Sequence, residues 1–399
     1  MPRRILPIGL TLLLITCGLA GTILWRSSSG TQASAGAATR VELVPGPWGE
    51  LRAAVTLLSP PPAAEAPMPR SRNAIRWHLP DTSRHELADL LAGLDLPDAL
   101  FERLLAAARP DLPRSGFVLT PDAETVRAIA PAGRARLYQR LAQHPANRDQ
   151  INAFRFWGRN AATWLAGAGL ARDTLDIVRP MTYQSGSFIC FADMPAVAGL
   201  IDAPERARLW RALARERSLR LELVVPPGPP TEDLIDYWTA LGRNPGAAER
   251  IEAVARRGGG AIDVAELLPP FARQRLGRYP DSTDPLPNGL SRDCHWSALN
   301  FFRDEPDDRF ADAAHVTRVL EQTYVAVEHP ALGDLVVFSS DGEIYHSAVW
   351  IAAGVVLTKN GPRPSRPWML LPLEVMRNFY PRSGPIRVNY LRPRDRLRE

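Results

Sequence analysis

Apolar residues recur at helical spacing through the middle of the chain and in alternating or continuous short runs near its end. Leu87, Leu90, Leu91 and Leu94 fall on one face of a helix that Asp81 or Thr82 can cap. Thr120-Pro121-Asp122-Ala123-Glu124 opens another. It has a capping hydroxyl, a proline where its missing N–H costs nothing, and an acid in the positive first turn. Asp202 with Pro204 and Glu205 repeats the device ahead of Leu209, Trp210 and Leu213, and Thr231-Glu232-Asp233 precedes Leu234, Tyr237, Trp238 and Leu241. The spacing predicts a mainly helical domain over 81–285. Phe154, Phe156, Trp157 and Trp164 are its aromatic core, and Met181–Phe191 reads as extended. Cys190, between Ile189 and Phe191, reads as a buried inert thiol.

Residues 281–291 are turn formers and mark a boundary, so a second domain is expected over 286–399. There the pattern becomes one helix followed by strands. Asp293-Cys294-His295-Trp296 starts the helix, which continues through Ala298, Leu299, Phe301 and Phe302, with Asp293 near its cap. Gly333-Asp334 is a turn before the buried run Leu335–Phe338. In the alternating run Tyr345–Ile351, His346 and Ala348 face one side and Val349 and Ile351 the other. Val355–Leu357 then pairs back through a turn at Ala353-Gly354, and its continuation places Thr358 and Asn360 on a shared face.

The N-terminus carries Ile5–Trp25, 21 residues without a charge, between Arg3-Arg4 and Arg26. At about 1.5 Å per residue such a run spans the bilayer core. A signal anchor is therefore expected over 1–30, a single-pass transmembrane helix with the later domains outside the cytoplasm. A lipoprotein at Leu14-Ile15-Thr16-Cys17 and a secreted form cut at Ala33-Ser34-Ala35 are the alternatives. Residues 31–80 read as an Ala/Pro-rich tether, with Val41–Leu57 apolar enough to dock as a strand. The expected fold class is α+β: an N-terminal membrane anchor, a mostly helical middle domain, and a C-terminal domain with a helix packed on an antiparallel sheet.

Composition narrows the chemistry. A 399-residue chain that is 45% hydrophobic and 23% charged supports a sizeable core. The net charge of +5 is spread among interleaved signs, with no basic block of the kind that binds nucleic acid. Of 48 basic residues Lys359 alone is a lysine. The three cysteines, Cys17, Cys190 and Cys294, form no disulfide framework, and no CxxC or HxxxH spacing suggests a metal. No Gly-x-Ser-x-Gly elbow or phosphate loop is present, so no cofactor is expected. The acidic stretch Asp304, Glu305, Asp307, Asp308 and Asp312 lacks the glycine and terminal glutamate of a calcium loop, and reads as solvated.

A cysteine at a helix start meets unpaired N–H groups and partial positive charge, which favour a thiolate and can hold an oxyanion. A downstream strand histidine supplies a base, and an amide or hydroxyl on the next strand fixes its tautomer. The order Asp-Cys, Gly-Asp-Leu, His and a third polar residue resembles the papain-like superfamily of bacterial wall peptidases and amidases of the NlpC type, over roughly 290–399. The resemblance implies Cys294 as nucleophile, His346 as base and Asn360 as orienting group. Thr358 is the alternative in third position, and Lys359, Trp296 and Asp293 are further cleft residues. It implies a cell-envelope amide substrate, such as a peptidoglycan stem peptide, at the bacterial inner membrane. Where the family has a small pair after the cysteine, this chain has His295-Trp296, and a stiff basic loop follows Asn360. A catalytically silent binding or scaffold module is the alternative reading. Oligomeric state is open.

Overall fold

A computed structural model describes residues 40–61, 75–112, 115–280, 286, 290–363, 365–380 and 385–396. The fold is α+β, 39% helix and 26% strand. This corrects two parts of the expected architecture. First, no helix among the described residues is long and apolar enough to cross a membrane. The longest, such as Pro131–Leu141 and Ala203–Leu213, have 11 residues, about half the number that spans a bilayer. The anchor expected over 1–30 lies outside the described residues. Second, the middle region, mainly helical as expected, also carries strands. Glu216–Val225 and Gly260–Asp263 join Arg40–Glu42 and Glu50–Leu58 in a four-stranded antiparallel sheet. Two three-stranded sheets lie among the helices.

The reason for the second correction is length. The strands of the middle region outside Glu216–Val225 have two to four residues, too few for a period of two to stand out from the helical spacing around them. The Met181–Phe191 segment is a hairpin of Tyr183–Ser185 and Phe188–Phe191. The apolar stretch near Val41–Leu57 supplies the strands Arg40–Glu42 and Glu50–Leu58, so this part of the segment read as a tether is folded. Asp202, Thr231 and Asp293 cap their helices with side-chain oxygens as their spacing predicts. The first helix starts one or two residues late, capped by Ser83 in a reciprocal box with Glu86. Leu241 lies beyond its helix, exposed and left-handed.

The C-terminal part is a six-stranded sheet. Across it run Tyr324–Val327, Arg387–Pro393, Leu335–Ser340, Glu343–Ala352, Val355–Lys359 and Trp368–Pro372, each antiparallel to its neighbour. The helix Cys294–Leu299 packs on it. Gly333 lets the chain turn into the Leu335 strand. Its φ is +90°, and an added Cβ would fall inside the Phe302 ring. The next residue, Asp334, is buried, receives the Ala331 N–H at 2.8 Å and pairs with Arg392 at 2.7 Å. The Gly-Asp pair is thus scaffold.

The two parts share one core. Buried residues from Leu51 to Phe379 form a continuous apolar cluster. Polar ties cross between the parts as well. Arg366 pairs with Glu216 and donates to the Ala153 carbonyl at 3.0 Å. The Tyr237 hydroxyl donates to Ile351 O at 2.7 Å, and Leu370 N–H donates to the Ser218 hydroxyl at 3.0 Å.

Candidate active site

Asp293 precedes the Cys294 helix in extended conformation, and its Oδ1 accepts the N–H groups of His295 and Trp296 at 2.9 and 3.1 Å. Capping consumes these two donors, so they are not free for an oxyanion. Cys294 is 5% exposed. Its Sγ, a ring nitrogen of His295 and a carboxylate oxygen of Asp293 all lie within 4.8 Å of one another. Three such donors can approach a cation, one short of a closed zinc site. However, Asp293 already serves as cap, and His295 Nδ1 is already bound to the Ser347 hydroxyl at 2.8 Å.

His295 was not legible as a partner. One step along a helix is about 100° of rotation, which separates neighbouring side chains. In the structure a ring nitrogen of His295 nonetheless lies within 4.8 Å of the Cys294 sulfur. Burial lowers the pKa of His295, and the Asp293 charge opposes this.

His346 is wholly buried. Its Nε2 lies 3.0 Å from Thr358 Oγ1, and Thr358 donates its hydroxyl proton to Asn360 Oδ1 at 3.2 Å. A hydroxyl has one proton to give. With that proton on Asn360, Thr358 accepts from Nε2–H, and Nδ1 keeps the imidazole lone pair. Among the described residues that Nδ1 is buried without a hydrogen-bond partner, as is Asn360 Nδ2. Such orphan atoms are costly and mark places where another group is accommodated. The two third-position candidates therefore act in series: Thr358 touches the imidazole and Asn360 holds Thr358.

Strand alternation separates these groups into two sets. His346 and Ser347 leave opposite faces of their strand, as do Thr358 and Lys359. The Cys294 helix lies on the Ser347 face, since His295 bonds Ser347 and the Trp368 indole donates to Ser297 at 2.8 Å. Tyr380 lies beside the His346 set. Its ring lies 5.0 Å from His346, and the charges of Cys294 and Asp293 act on its phenol. Burial raises the Tyr380 pKa well above the usual range, and the Cys294 charge adds to that.

Lys359 lies on the Cys294 side, wholly buried. Its Nζ donates to the carbonyls of Gly361 at 2.5 Å and Arg363 at 3.3 Å, and lies 5.7 Å from the centre of the Trp368 ring. Burial pushes its pKa down to about 7, and the charges of Asp293 and Cys294 oppose the shift. The one lysine thus ties the start of the basic loop to the cysteine's surroundings. Trp296, expected as a cleft residue, packs its indole on Phe271 with ring centres 5.2 Å apart and donates to Asp308 at 2.8 Å. The acidic stretch is partly structural for that reason: Asp308 receives Trp296, and the Asp307 backbone N–H donates to Asn300.

No family model matches this chain, and neither a curated protein nor a solved structure does.

Proposed function

We propose that the chain is a thiol hydrolase or acyltransferase acting on an amide bond, with Cys294 as nucleophile and His346 as proton carrier. The observation that carries this reading is the buried, unpartnered Nδ1 of His346, left with the lone pair by the Thr358–Asn360 chain. A nucleophile, a base and a group orienting the base are the three parts such chemistry needs. Tyr380 packs beside His346, its ring centre 5.0 Å from the imidazole.

In the proposed reaction the Cys294 thiol gives its proton to His346 Nδ1 by way of an intervening water, because the Cys294 helix and His346 lie toward opposite faces of the sheet. The sulfur forms a bond to the amide carbonyl carbon, the C–N bond breaks, and the imidazolium proton leaves with the amine. Water, or a second amine, then takes the acyl group from the thioester and restores the thiol. The likeness to bacterial wall amidases of the NlpC type suggests a cell-envelope peptide as substrate, and it rests on Asp293-Cys294, Gly333-Asp334, His346 and Thr358.

Two observations favour other readings. The proximity of His295 to the thiol makes His295, oriented by Ser347, the rival base. The burial of both Cys294 and His346 favours a silent, closed site. Treatment with p-nitrophenyl acetate separates the three. Our reading predicts an acetyl group on the Cys294 peptide by mass spectrometry, lost in His346→Ala and kept in His295→Ala. The reverse pattern assigns the base to His295. No acylation of the unaltered chain means that the site is silent.

A further inference from the structure

A cavity of about 860 Å³ opens at the far end of the Cys294 helix, beside Leu299. It is large enough for a small organic ligand. Its walls are unusual in pairing arginine with aromatic rings. The Arg243 guanidinium carbon lies over Phe302, 3.7 Å from the ring centre, and that of Arg303 lies 5.1 Å from the centre of Phe310. Tyr324 adds a third ring, and five arginines stand against two aspartates in the lining. One aspartate, Asp307, is taken by Arg309 at 2.6 Å. Neither Arg243 nor Arg303 has an acid partner within ion-pair distance among the described residues.

We propose that this cavity binds an organic anion that joins a flat apolar body to a carboxylate or phosphate group. A half-buried guanidinium without a counter-ion has lost part of its hydration and regained little. An oxyanion restores what was lost, because the guanidinium fork matches carboxylate and phosphate oxygens bidentately. The Phe302, Phe310 and Tyr324 rings supply the surface on which an apolar body stacks. Arg243 fits this role in its charge balance too. Burial lowers its pKa, and Asp395 and Asp334 compensate only from a distance. The cavity stands apart from the thiol site, and its ligand does not depend on the activity proposed above.

Calorimetric titration of the full chain with 1-naphthyl phosphate, 1-naphthoate, neutral 1-naphthol and inorganic phosphate tests this. At least one naphthyl anion is expected to bind ten times more tightly than both naphthol and bare phosphate. The preferred anion tells whether the natural ligand is a phosphate or a carboxylate. Arg243→Gln and Arg303→Gln are each expected to weaken that anion at least tenfold. Arg303 is exposed, so its variant carries the test if Arg243→Gln fails to fold. Equal binding of anions and naphthol, no binding of either anion, or unchanged affinity in a folded variant would overturn the proposal.

Discussion

At the residue scale the site is a set of buried polar groups whose partners decide their chemistry. The strings around Cys294, His346 and Thr358 are legible in the sequence because each is local: a helix start, an alternating strand, and the strand that follows it. What was not legible comes from contacts across the sheet. Ser347 holding His295, Tyr380 tilted against His346, and Lys359 donating to two loop carbonyls all join residues through strand register and the packing of the helix. Lys359 gives a pH signature. Its folded pKa, about 7, lies below the ordinary 10.5. Between those values the unfolded chain holds more protons than the folded one, so stability rises with pH across that window. The penalty is fully present below pH 7 and gone above 10.5, and is on the order of a few kcal/mol. Lys359→Met is expected to flatten this rise in denaturant titrations run from pH 7 to 10. An unchanged slope would place the titration elsewhere.

At the element scale Leu335–Ser340, Glu343–Ala352 and Val355–Lys359 were legible from their apolar or alternating runs, whereas Tyr324–Val327, Trp368–Pro372 and Arg387–Pro393 of the same sheet were not read. The short strands of the middle region were not, since two to four residues carry no period. Gly333 is the most demanding single position between elements. It turns the chain at φ +90° against the Phe302 ring, and its N–H donates to the Trp350 carbonyl at 3.0 Å. A side chain there strains the backbone and displaces the ring together. Gly333→Ala is expected to cost about 2–4 kcal/mol of stability, read as a lower denaturant midpoint with an unchanged slope. A cost below about 0.5 kcal/mol would mean that the turn relaxes freely.

At the scale of the whole molecule the middle and C-terminal parts are interlocked. Composition and spacing placed a boundary near 281–291, and turn formers do occur there, but spacing along a chain does not report which surfaces meet. The shared apolar cluster and the Arg366–Glu216 pair join the two sides. Removing Arg366 leaves Glu216, whose carboxyl burial already pushes up to about 7, buried without its partner. Arg366→Met is therefore expected to destabilise the protein by about 3–5 kcal/mol. Because the core is continuous, the whole described fold is expected to melt in one calorimetric transition, displaced as a unit by that substitution. Two resolved transitions, with only one of them moved, would show that the parts fold independently.

The central claim is that Cys294 is activated by His346, and the pH profile of its alkylation tests it most directly. Peptide-level mass spectrometry follows iodoacetamide labelling of Cys294, with Cys190, whose thiol burial pushes up to about 11, as the internal unreactive control. The account predicts labelling of Cys294 at pH 6.5 that falls at least tenfold in a folded His346→Ala variant. Equal labelling rates at every pH with and without His346 would contradict it.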